Sequence, residues 1–184
     1  MGNTLTSAVF SVLQFFGLYT KEAVIAVIGL DNAGKTTMLY RIQNDKVIQM
    51  SPSLHVNEET FTYGGVTFKA YDIGGQESFR LLWKRFLGEV DAILFLVDAS
   101  DPERFHEVKA ELAYLSQMKG IENQPIGLLL NKCDTRDQYP AEPILTEIGG
   151  DFILQKSNVS EVFQTSSFRP ESIMVVLKWL ASVV

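Results

Sequence analysis

Cysteine is nearly absent from this chain of 184 residues, where Cys133 stands alone. A single thiol excludes an intrachain disulfide and suits a reducing compartment, the cytoplasm. Positive charge is also scarce. Lysine and arginine total 16 against 22 aspartates and glutamates, a formal net charge of -6. The chain as a whole therefore has no electrostatic pull toward nucleic acid, which is not an expected partner. The only two histidines, His55 and His106, have no cysteine cluster beside them, which makes them surface or loop residues rather than catalysts. Repeats, low-complexity tracts and Pro/Ser-rich linkers are missing. With 46% hydrophobic residues, the chain has enough apolar surface for one domain with a full core and little room for a second.

Residues 1–20, MGNTLTSAVFSVLQFFGLYT, lack any charged side chain. A basic n-region and a clear cleavage site are missing, which argues against a signal peptide. The apolar run is shorter than the roughly 20 residues of a membrane span, and Ser7, Ser11, Gln14 and Gly17 interrupt it. Its start matches the N-myristoylation pattern M-G-x-x-x-[ST], with Gly2 as acceptor and Thr6 at the hydroxyl position. An apolar helix packed on its own domain is the competing reading, and one protein can alternate between the two. The end, LKWLASVV, offers no cysteine for prenylation, so membrane attachment is expected to fall to Gly2 and this segment. Residues 1–20 are read as a membrane or switch element and 21–184 as the main domain.

Apolar runs alternate with helix-like segments, the pattern of a doubly wound α/β domain with a mainly parallel sheet. A first strand is expected over Ala23 to Ile28 and a helix from Lys35 to about Asn44, followed by an irregular stretch through Val56. Residues 58–72 read as a hairpin turning at Gly64-Gly65. Further strands are expected at 92–97, 125–130 and 159–165, with helices from Asp101-Pro102 to about Met118 and over 172–183. Residues 135–158 read as looser. The total is six strands and about five helices. Ligands in such folds lie at the carboxyl ends of the strands.

The loop after the first strand reads GLDNAGKTT. Gly29 to Thr36 match G-x-x-x-x-G-K-[ST] between a buried strand and a helix, the context in which that motif holds phosphate. Asp31, Asn32, Ala33, Gly34, Lys35, Thr36 and Thr37 are the expected cofactor-binding residues. Backbone N-H groups and the helix start face phosphate oxygens, Lys35 places a charge at the terminal phosphates, and the Thr36 hydroxyl can ligate Mg²⁺. Alone, this loop leaves ATP and GTP both open.

Asn131-Lys132-Cys133-Asp134 follows a buried strand. The Asp134 carboxylate can accept from the ring N-H and exocyclic amine of guanine, a pattern adenine cannot reciprocate. Asn131 is expected to tie this loop to the phosphate loop or touch the purine edge. The Lys132 stem would lie over the ring, and Cys133 serves as a small filler. Thr165-Ser166-Ser167, after the last strand, could offer a backbone N-H to the guanine oxygen, with Ser166 and Ser167 as the expected binding residues. Asp72-Ile73-Gly74-Gly75-Gln76 ends the hairpin: Asp72 could hold Mg²⁺ through water, the Gly75 N-H could bond the γ-phosphate, and Gln76 could orient the attacking water. Asp98 also ends an apolar strand, but no glycine pair follows it.

With these motifs assembled, the chain resembles the Arf and Arf-like small GTPases close to full length. The resemblance rests on GLDNAGKTT, on DIGGQ followed by Arg80 and Leu82-Trp83, on NKCD, and on the apolar N-terminal segment with Gly2. Pro52-Ser53-Leu54-His55 resembles the switch I motif of that family, and its histidine is more like the Sar branch, whereas Gln76 and Gly2 fit Arf. The resemblance implies a P-loop GDP/GTP switch in membrane trafficking. It also implies Mg²⁺ on Thr36 and Ser53, catalysis by Lys35 and Gln76, and slow hydrolysis assisted by an activating protein. An exchange factor, effectors, and a Golgi or other endomembrane location complete the implied picture. Ser53 replaces a usual threonine, keeping the hydroxyl but losing the methyl that restricts its rotamers. Val56 and Tyr71 stand where the family usually has phenylalanine and tryptophan; with Phe86 they would form an effector patch of altered selectivity. A Sar-type coat initiator, a non-hydrolysing recruitment adaptor and an ATP-using phosphotransferase are the rival readings, and Asp134 argues against the last.

Overall fold

The computed structural model describes residues 20–44, 57–74, 83, 86–134 and 140–184. The expected segment 1–19, most of the irregular stretch up to Val56, and Gly75 and Gln76 lie outside the described residues.

The central strand β1 (Lys21–Gly29) holds nine residues, and its apolar run is buried on both sides. A strand sandwiched between two helical layers has no solvent face and so reads as a continuous apolar run instead of alternating. Then follow α1 (Lys35–Asn44), β2 (Asn57–Tyr63), β3 (Val66–Asp72), β4 (Ala92–Asp98) and a 3₁₀ turn at Pro102–Arg104. The chain continues through α2 (Phe105–Gln117), β5 (Ile126–Asn131), α3 (Ala141–Ile148), α4 (Gly150–Leu154), β6 (Ser160–Gln164) and α5 (Pro170–Val183). The six strands pair in the order β2-β3-β1-β4-β5-β6. Every pairing is parallel except the β2-β3 hairpin. Gly64 and Gly65, at φ 59° and 79°, make its tight turn, because a two-residue hairpin loop that matches strand twist needs positive φ at both positions.

Each sheet face carries its own core. Ala23, Ile25 and Val27 of β1 point toward α1 and α5, meeting Met38, Leu39, Ile173, Val176, Leu177 and Leu180. Ala26 and Ile28 point the other way, to the layer holding Phe105, Val108, Leu112, Ile144 and Ile148. Trp83 is fully buried in this second core, its ring edge-on to Phe95 at 6.1 Å.

The looser region expected over 135–158 is a correction: its described part holds α3 and α4. Ile144 and Ile148, one helical turn apart, are buried against the sheet. Gly149 ends α3 in the left-handed conformation at φ 65°, its N-H returning to the Leu145 and Thr146 carbonyls, a role that glycine fills without a Cβ penalty. β5 also runs one residue further than expected, so Asn131 closes the strand rather than opening the loop. Among the described residues no helix is long and apolar enough to cross a membrane.

Candidate functional site

The carboxyl ends of β1, β3, β4, β5 and β6 converge on one edge of the sheet. At Gly29 the backbone takes φ 137°, and a Cβ there would lie 2.2 Å from the Leu96 carbonyl oxygen of β4. β1 thus leaves the sheet in contact with its neighbour's backbone. The loop then turns through Asn32 at φ 61° and Gly34 at φ 93°. Successive residues that alternate between ordinary and left-handed backbone turn their N-H groups inward into an anion-binding concavity. The helix that follows adds its positive end, and its ladder begins with the Met38 N-H donating to the Gly34 carbonyl at 2.9 Å.

Lys35 is buried, 6% exposed, and its ammonium donates to the Gly29 and Leu30 carbonyls at 3.1 and 2.9 Å. The loop's own carbonyls therefore place the cation within the hollow. The Thr36 hydroxyl donates to an Asp72 carboxylate oxygen. Asp72 is itself buried at the end of β3, where it pairs in register with Val27. A hydroxyl and a carboxylate meeting at a helix start are hard oxygen donors, the set that suits Mg²⁺. Among the described residues no group of three or more His, Cys, Asp and Glu side chains gathers.

Two further loops close on the first. Asn131 is 2% exposed, its amide donates to the Ala33 carbonyl at 2.8 Å, and its carbonyl accepts from the Thr165 hydroxyl at 3.1 Å. One side chain thereby joins the ends of β1, β5 and β6. Of the two roles open to Asn131 in sequence, the loop tie is the one seen. Lys132, at φ 62°, turns its ammonium onto Asp98 at 2.7 Å. Asp98 thus anchors the loop of Asn131 to Asp134, and its second oxygen accepts from the Ser100 N-H and hydroxyl.

Asp134 accepts from the Ser166 hydroxyl. The Ser166 N-H in turn donates to Ser172 Oγ at 3.0 Å, so that N-H is already engaged within the chain. Burial pushes the Cys133 thiol above its usual pKa, and Sγ donates to the Thr165 carbonyl at 3.0 Å. It is a neutral packing group at physiological pH.

Neither the side-chain role of Ser166 nor the part played by Arg104, whose guanidinium donates to both the Asp31 carbonyl and its carboxylate, is visible in the sequence motifs. Tyr71 and Phe86 do meet, with ring centroids 5.9 Å apart, while Val56 lies outside the described residues. So do Gly2, Ser53, Gly75 and Gln76. Thr37 follows in the first turn of α1, half-buried.

Comparison with known proteins agrees with this architecture. The small COPII coat GTPase SAR1 of Giardia intestinalis is 33% identical over 180 residues, covering 93% of this chain and 94% of that protein. ADP-ribosylation factor-like protein 1 of Caenorhabditis elegans is 32% identical over 173 residues, with 93% and 95% covered. Among solved structures, the Arl6 BBS3 small GTPase of Trypanosoma brucei with bound nucleotide analogue GppNp superposes with a TM-score of 0.75. It is 25% identical, and the match covers 88% of this chain and 98% of that one. The family model described as "ADP-ribosylation factor family" matches residues 9–184. A six-stranded mainly parallel sheet, a phosphate-loop motif after its central strand and near full-length similarity lead to one conclusion: this chain belongs to the ADP-ribosylation factor family of small GTP-binding switch proteins.

Proposed function

We propose that the chain is a guanine-nucleotide switch of membrane trafficking that hydrolyses GTP slowly. The observation that carries this reading is the 2.8 Å bond from Asn131 to Ala33. It sets the phosphate loop and the Asp134 loop side by side, so a single nucleotide spans both. Asp134 accepts from the guanine ring N-H and amine, with its orientation fixed by Ser166. The Ser167 N-H faces the guanine oxygen. Lys35 and the loop N-H groups from Asp31 to Thr37 hold the phosphates.

Thr36 and Ser53, with Asp72 through water, would hold Mg²⁺, which when bound neutralises charge on the phosphate oxygens. Gln76 aligns the attacking water, and the Gly75 N-H follows the γ-phosphate, so its loss frees the segment. Residues 46–56 contain no arginine, so an arginine finger in cis is missing from that stretch. An activating protein supplying one in trans adds about 10³ to 10⁵ in rate. The purified chain is expected to turn over GTP no faster than about 10⁻² s⁻¹, and Gln76→Leu to slow it at least about tenfold, in single-turnover phosphate release. Fast hydrolysis by the chain alone, or an unaffected Gln76→Leu, contradicts this.

An exchange factor and effectors act through the switch segments, with Val56, Tyr71 and Phe86 as the effector patch. The acylated Gly2 and the uncharged 1–20 segment form the membrane contact on Golgi or another endomembrane. A single acyl chain binds membrane only marginally, with K about 10⁴ M⁻¹, so the segment is the second signal. Acylated protein should sediment with liposomes more strongly with a GTP analogue than with GDP; equal sedimentation in the two states removes the coupling. The SAR1 similarity and His55 favour a coat-initiating variant as the second reading, whereas Gly2 and Gln76 favour the Arf branch.

A further inference from the structure

We infer that Arg104 is a positioning residue that holds the Asp31 carboxylate and offsets part of its charge beside the phosphate loop, and that without it the site loses GTP in preference to GDP. The inference rests on the guanine-nucleotide reading above. Asp31 places a carboxylate within a loop whose backbone is built to surround anions. Left to itself it would repel the phosphate that distinguishes GTP from GDP, because each added negative charge nearby raises the cost.

The structure shows how that charge is engaged. From the 3₁₀ turn after β4, Arg104 Nη2 donates to Asp31 Oδ1 at 2.8 Å and Nη1 to the Asp31 carbonyl at 3.1 Å. Its Nε and Nη2 also reach Glu107 Oε1 and Oε2 at 2.9 and 3.1 Å. Glu107 on α2 takes the Nε/Nη2 edge of the planar fork, and the adjoining Nη1/Nη2 edge, sharing Nη2, grips both the backbone and the side chain of Asp31. The fork geometry is specific to arginine, since a lysine offers one charge centre without the paired donors. The pair lines one hollow with Leu30, Leu96, Val108 and the carboxylates Asp98 and Asp101, with side chains 27% and 39% exposed, so bulk water screens it incompletely.

The Arg104 hydrogen bond, its charge and that of Lys35 hold the Asp31 carboxyl below the usual carboxylate range. The group is therefore ionised at neutral pH, and Lys35, the phosphate lysine, is close enough for Asp31 to feel it. A brace with no electrostatic role would affect GDP and GTP alike; a charge shield affects mainly the nucleotide with the extra phosphate.

The test compares dissociation constants for GDP and GppNp, by displacement of a fluorescent GDP, on the wild-type chain, Arg104→Ala, Asp31→Asn and the double variant. Arg104→Ala is expected to shift the GppNp/GDP ratio against GppNp by about tenfold, within the range for coupled neighbouring charges. In the Asp31→Asn background the same substitution should shift it by less than about twofold. Arg104→Gln, which keeps the stem, gives the same comparison if Arg104→Ala does not fold. Equal weakening of both nucleotides, or a ratio change that persists without the Asp31 charge, overturns the inference. A wild-type chain that binds neither nucleotide instead overturns the guanine reading, and this inference with it.

Discussion

Asp134→Asn should reduce GDP affinity by about 10⁴-fold and reverse the base preference toward xanthine nucleotides. The carboxylate offers two acceptors to the ring N-H and the exocyclic amine of guanine. An asparagine amide turns one of them into an N-H donor facing another donor. A site built on such a pairing rejects the mismatched partner by about 10⁴ to 10⁵, since buried polar groups are left unpaired. Xanthine carries an oxygen where guanine carries the amine, and the new amide can donate to it. The surrounding structure survives the change: the carbonyl oxygen of the substituted side chain would still accept from the Ser166 hydroxyl that now meets the carboxylate. Competition between xanthosine and guanosine diphosphates for the variant measures the effect directly. Retained guanine preference would place base recognition somewhere other than Asp134.

Gly29→Ala is expected to destabilise the fold by about 4 kcal/mol or more, adding overpacking to backbone strain. The new Cβ would stand 2.2 Å from the Leu96 carbonyl oxygen and 3.1 Å from its carbon, at a backbone φ of 137° that side chains rarely adopt. Neither partner can yield. Gly29 pairs with Leu96 where β1 and β4 lie side by side at the centre of the sheet, and separating them opens both cores. Small domains have only about 5 to 15 kcal/mol in total, so much of the chain should be unfolded or insoluble at 37 °C. Gly88→Ala is the matched control, since a Cβ there meets nothing within 4 Å. Its unfolding free energy from urea titration should stay within about 0.5 kcal/mol of wild type. A Gly29→Ala protein as stable as that control would contradict the packing described here.

Gly29 also illustrates what a linear reading can extract. Its place in a phosphate-loop motif is evident from sequence, and the natural reason offered is close approach to phosphate. The contact with Leu96 comes from a strand 67 positions away and is visible only once the sheet order is known. Buried strands were legible because their apolar runs have a physical cause, burial on both faces. Helix α1 was legible because the motif fixes its start.

The helices α3 and α4 were not. They are only eight and five residues long and start without a side-chain cap, and local signals that weak are outvoted by the surrounding Pro, Gly and polar residues. The Ile144, Ile148 and Gly149 spacing was the available clue. Arg104 was hidden for a different reason. Its sequence neighbour Glu107 accounts for the charge locally, while its other partner, Asp31, is 73 residues distant. From sequence Ser166 offers a backbone N-H, yet in the structure its hydroxyl is what holds Asp134.

The most direct test of the central claim is the identity of the nucleotide that copurifies with the chain. Protein expressed in bacteria and purified with Mg²⁺ would be denatured and its released nucleotide identified by ion-exchange chromatography. Stoichiometric GDP is the predicted result, reflecting guanine recognition by Asp134 and slow product release. ADP, or no nucleotide together with no uptake of GTP on reloading, would contradict the account.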